Sequence, residues 1–95
     1  MAYVIGNITI LDNTKWLEYK SKVSDTLIPW DGELILRGKK LEVLGGEHRH
    51  TDNVIINFPN VEALNNWFLS DAYQELIPLR NQAAKVDLVS YQKET

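Results

Sequence analysis

Two stretches of this chain share one grammar, a strand that turns into a helix, and that repetition limits the fold more than any other feature. Asn7 to Val23 (NITILDNTKWLEYKSKV) starts with alternating apolar residues, turns at Asp12 and Asn13, and continues with apolar residues at helical spacing. Asn53 to Phe68 (NVIINFPNVEALNNWF) does the same, with Pro59 and Asn60 at its turn. One strand follows each helix, over Glu33 to Arg37 and over Val86 to Tyr91. The element order is therefore β-α-β-β-α-β.

That order is the ferredoxin-like, α+β arrangement: a four-stranded antiparallel sheet with helices on one side. Ninety-five residues make one domain, 1–95. Strand parity divides the sheet into two faces. Val4, Ile8 and Ile10, Leu34 with Leu36, Val54 with Ile56 and Phe58, and Val86 with Leu88 form the side expected to carry the helices. The other side holds Tyr3, Ile5, Asn7 and Thr9, then Ile35, Ile55, Asn57, Val89 and Tyr91. That second face is too apolar to face water, and its simplest cover is the same face of a second copy, so the expected state is a homodimer through the sheet face.

In the first helix, capped by Asp12 or Asn13, Trp16, Tyr19, Val23 and Leu27 form one stripe. In the second, capped by Asn60, Val61, Leu64 and Phe68 are expected to face inward, with Trp67 on the flank. Ser70 and Asp71 start a third segment, Asp71 to Ala84, where Tyr73, Ile77 and Ala84 share a face and Arg80 falls between them in phase. Pro78 lacks an N–H, so this segment kinks or divides into two short helices. An inward-pointing Arg80 must be paired, or else recognise an anion.

Chemistry has few other places to reside. With no cysteine there is no disulfide, thiol nucleophile or thiolate metal site. The net charge of −3 and a single short basic cluster, Arg37, Lys39 and Lys40, argue against nucleic acid. No apolar run approaches the ~20 residues that span a bilayer, and no secretion signal opens the chain, so membrane association is not expected and a cytoplasmic location is. Leu41 to Leu44 should extend the hairpin begun at Gly38 until Gly45-Gly46 breaks it. His48 and His50 follow and, two apart on an extended backbone, would point the same way. No third ligand accompanies them, so no metal is expected. A haem is not expected either, because its proximal histidine belongs on a pocket-facing helix.

Taken together, the opening AYVIGNITI, WLEYKSKV, DGELILRGKKLEVL, VIINFP and the run WFLSDAYQELIPLR resemble the domain of unknown function 1330 family, within the dimeric α/β barrel superfamily. The most specific part is Ser70, Tyr73, Leu76, Pro78 and Arg80. The resemblance implies a ferredoxin-like protomer whose sheet packs on a second sheet, in a superfamily that includes cofactor-free monooxygenases, lactone isomerases, haem enzymes and proteins without known activity. Family members often carry a glutamate where this chain has Asn57 and an acidic residue near Gly45, so possible acid or base groups are absent here.

Two functions remain open. One is a cofactor-independent enzyme acting on a small aromatic or carboxylated metabolite held between helices and sheet, with Arg37 and Arg80 binding an anionic group, Trp67 and Tyr73 forming walls, and His50 as acid or base. The other is a non-catalytic dimer that binds a small molecule or a protein. Neither requires a cofactor.

Overall fold

A computed structural model describes residues 1–94. The strands are β1 (Ala2–Ile10), β2 (Glu33–Lys39), β3 (Asp52–Phe58) and β4 (Ala84–Gln92); the helices are α1 (Asn13–Leu27), α2 (Val61–Leu69), α3 (Asp71–Gln74) and α4 (Ile77–Ala83). A 3₁₀ turn over Ile28–Trp30 links α1 to β2. The sheet is antiparallel in the order β2-β3-β1-β4, the ferredoxin-like topology that the sequence predicts.

Local chemistry explains where the helices begin. Asp12 accepts a hydrogen bond from the Lys15 N–H at 3.1 Å and Asn60 accepts one from Ala63 at 2.7 Å, each satisfying a donor that the first helical turn leaves free. The segment containing Pro78 divides in two: Ser70 caps α3, and Pro78 sits in the first turn of α4, where its missing N–H costs nothing. Ala84 opens β4 instead of ending that segment.

The core lies between the helices and one sheet face. Val4, Ile8, Val54, Ile56 and Phe58 rise from the sheet to meet Trp16, Tyr19, Val23 and Leu27 of α1, all buried. In α2 the expected phase is corrected. Trp67 is buried with Leu64, whereas Val61 and Phe68 face outward. What holds the indole inside is a specific bond: Trp67 Nε1 donates to Thr26 Oγ1 at 3.0 Å, and Thr26 in turn donates to the Val23 carbonyl. Thr26→Val keeps the shape but leaves the indole N–H buried without an acceptor. It should lower unfolding stability by about 1–3 kcal/mol, read from a urea titration.

Strand β2 supplies the second correction. Leu34 pairs with Ile56, but Leu36 pairs with Ile55, so a bulge inserts Ile35 as an extra residue. Beyond the bulge the two faces exchange. Leu36 turns to the open face, and Arg37, opposite Val54, turns under the helices. The hairpin also ends sooner than its sequence implies: β2 stops at Lys39, and residues 40–51 form an arm without strand pairing, on which Leu41 is 96% and Leu44 90% exposed.

On the open face the register builds three rows across all four strands. Glu33, Asn57, Tyr3 and Tyr91 form one, Leu36, Ile55, Ile5 and Val89 the next, and Gly38, Asn53, Asn7 and Asp87 the third. An entirely apolar belt thus runs between two largely polar rows.

Candidate functional site

The sheet row that Arg37 joins is Arg37, Val54, Gly6 and Leu88, on the helix side. Gly6 keeps this floor low, because a Cβ there would come within 2.8 Å of Val54 Cγ1 and 3.2 Å of Leu88 Cδ1. Above the floor the two layers leave a cavity of about 30 Å³, walled by Trp16, Tyr19, Leu34, Trp67 and Tyr73, with Arg37 beside them. A single water needs about 10–15 Å³ of such space, so the cavity takes a group of two or three heavy atoms.

Aromatic packing makes the wall rigid. Tyr73 lies against Trp67 with ring centroids 4.3 Å apart, Trp67 against Phe58 at 5.3 Å, and Trp16 stacks on Tyr19 at 5.2 Å. The two tyrosine hydroxyls meet at 3.1 Å, and Arg80 Nη1 donates to Tyr73 Oη at 2.9 Å. Burial pushes the Tyr19 phenol well above its usual range, with neighbouring Tyr73 adding to the effect, so it keeps its proton. Burial also lowers the Arg37 pKa, and Tyr19 opposes that shift.

A folded state that holds the Tyr19 proton more tightly than the unfolded chain binds more protons at alkaline pH, so stability must fall as pH rises. The contribution is complete below about pH 10, where an unfolded tyrosine titrates, and is lost above it. Going from pH 9 to 11 should remove about 1.4 kcal/mol through this group. Urea midpoints measured at fixed protein concentration should show the loss, and Tyr19→Phe should flatten it.

The structure groups four of the five residues singled out from the sequence. Arg37, Trp67 and Tyr73 line the cavity, and Arg80 reaches it only through Tyr73, its remaining bonds going to Asn81. Arg37 is half-buried and has no hydrogen-bond or ion-pair partner among the described residues. His50 is elsewhere. Its Nδ1 contacts Thr9 Oγ1 at 2.9 Å and its Nε2 contacts Asp87 Oδ2 at 2.7 Å, both partners lying on the opposite, open face. It fastens the arm to β1 and β4. Sequence reasoning missed Tyr19 as a partner of this site, although its place on the buried α1 stripe was visible.

A larger hollow of about 350 Å³ opens at the base of the arm, beside Asn7, Lys40, His48 and Asn53. Its cations are already engaged: Lys39 pairs with Asp52 at 3.5 Å, and Lys40 donates to the His48 carbonyl. Among the described residues no group of three or more His, Cys, Asp or Glu is placed to hold a metal, and no helix is long and apolar enough to cross a membrane.

The family model for domain of unknown function 1330 matches residues 1–93. The chain belongs to that family. Among solved structures, this DUF1330 chain is similar to the RPA0582 protein of unknown function from Rhodopseudomonas palustris, with a TM-score of 0.77 at 15% identity over 99% of this chain and 82% of that one. A dimeric ferredoxin-like protein of unknown function from Jannaschia sp. CCS1 gives 0.78 at 11% identity, over 97% and 98%. SnoaB, a cofactor-independent oxygenase from Streptomyces nogalater, gives 0.67 at 6% identity, over 99% and 93%. At these identities the likeness is one of fold. No curated protein matches the chain.

Proposed function

We propose that this protein is a homodimeric binder of small apolar carboxylates, which it receives in the cleft between helices and sheet. One observation carries the reading: a half-buried guanidinium, Arg37, without a side-chain partner among the described residues, set beside an aromatic cavity. A cation in such a place is costly unless an anion meets it, and a planar guanidinium suits a carboxylate. The cavity has room for the carboxylate, and the ligand's apolar remainder lies along the cleft mouth past Leu34 and Ser24.

Binding is favoured over proton-transfer catalysis because His50, the expected acid or base, lies across the sheet, and the walls carry no carboxylate or imidazole. The SnoaB likeness lends the fold an enzymatic precedent but does not supply such a group.

The dimer reading rests on the apolar belt of Leu36, Ile55, Ile5 and Val89 on the open face. The Jannaschia neighbour is described as dimeric. Calorimetric titration with phenylacetate, benzoate and hexanoate, each beside its amide, tests the binding claim: carboxylates should bind and amides should not. Equal binding of both, or of neither, refutes it.

A further inference from the structure

We infer that Tyr19 ends a hydrogen-bond relay, Arg80 to Tyr73 to Tyr19, and that its hydroxyl grips the second oxygen of the carboxylate held by Arg37. The inference rests on the proposed carboxylate site and specifies how that site reads its ligand.

The direction of the relay follows from counting protons. A guanidinium has no acceptor, so the 2.9 Å bond from Arg80 Nη1 can only donate to Tyr73 Oη. The two phenols own two hydroxyl protons and share one bond of 3.1 Å. One proton is therefore left over, and among the described residues no side chain accepts it. Were Tyr19 to donate to Tyr73, that oxygen would receive two donors while its own hydrogen remained unused on a fully buried residue. If Tyr73 instead accepts from Arg80 and donates onward, its hydroxyl is satisfied, and the spare hydrogen passes to Tyr19. Successive bonds in one direction polarise each other, so the arrangement also strengthens the final donor.

Tyr19, which carries the spare hydrogen, lines the same small cavity that Arg37 borders. Both unsatisfied groups are donors. A carboxylate meets them with its two oxygens and its charge, whereas a primary amide of the same shape offers two donors a single neutral oxygen and turns its N–H₂ toward one of them. The relay thus makes the cleft selective for the anion, and it assigns Tyr73 and Arg80 a common purpose: Arg80 is a positioning residue that acts through Tyr73 and does not touch the ligand.

The experiment is a calorimetric comparison of phenylacetate with phenylacetamide across variants of the full chain. Tyr19→Phe should weaken phenylacetate about 10-fold and leave the amide unchanged, the loss expected for one hydrogen bond to a charged partner. Arg80→Leu should lower the carboxylate-to-amide preference several-fold, and Arg80→Lys, which retains a donor toward Tyr73, should restore it. A merely structural role for Arg80 would lower the melting temperature without moving that preference. An unchanged preference in Tyr19→Phe overturns the relay. If Arg37→Leu also leaves phenylacetate binding intact, or the wild type fails to bind it at millimolar concentration, the carboxylate site falls and takes the relay with it. Should the Phe variant fold poorly, the Arg80 pair decides, since that guanidinium extends to the surface beside Asn81.

Discussion

Arg37→Leu should weaken carboxylate binding roughly 30- to 150-fold, about 2–3 kcal/mol, and at the same time make the ligand-free protein more stable. The two signs come from the same fact. In the free protein the guanidinium has lost part of its hydration without gaining an acceptor among the described residues, so an apolar side chain of similar reach removes that cost and extends the packing around Leu34 and Val54. In the complex the same cation is the group that meets the ligand's charge, and its removal strands a carboxylate among aromatic rings. Residues kept for binding characteristically lower stability in this way, while residues kept for packing lower both stability and binding when they are lost. Isothermal titration with phenylacetate and a ligand-free melting curve, taken together on one preparation, test both halves. A variant that binds normally removes Arg37 from the site. One that binds poorly and also melts lower assigns it to packing.

The helix-side position of Arg37 could not be read from strand alternation. Leu34, Ile35 and Leu36 are three successive large aliphatics, so no polar residue among them fixes which side each must take. Parity carried through Leu34 and Leu36 puts Arg37 with Ile35 on the open side; the bulge reverses that. Trp67 and Phe68 present a similar ambiguity. In a helix of nine residues with adjacent aromatics the phase alone does not choose between them, and the choice is made by a tertiary contact, Thr26, far away in sequence. The position of His50 rests on two long-range contacts, to Thr9 and Asp87, that hold its loop against the open face and that no local pattern announces. By contrast, the caps at Asp12, Asn60 and Ser70, the buried stripe of α1, the break before Pro78 and the strand order were all legible, since each rests on local chemistry or on a period sustained over many residues.

One extra residue in β2 therefore serves both faces of the sheet. It turns Arg37 into the cleft, and it places Leu36 at the end of the belt that continues through Ile55, Ile5 and Val89. Ile5 stands near the middle of that belt, which makes Ile5→Lys the sharpest test of the dimer. An isologous interface counts every substitution twice, and at a central position a two-fold axis brings the two new ammonium groups toward each other. Desolvating one unpaired charge already costs several kcal/mol, so the dimer dissociation constant should rise more than 100-fold, enough to leave monomer at micromolar concentration. The protomer itself should keep its fold, because the Ile5 side chain points away from the buried core that Val4 and Ile8 complete. Sedimentation velocity over a range of concentrations, with far-ultraviolet circular dichroism on the same samples, separates the two effects. A variant that still sediments as a dimer, or a wild type that is monomeric at tens of micromolar, means that the belt meets some other partner.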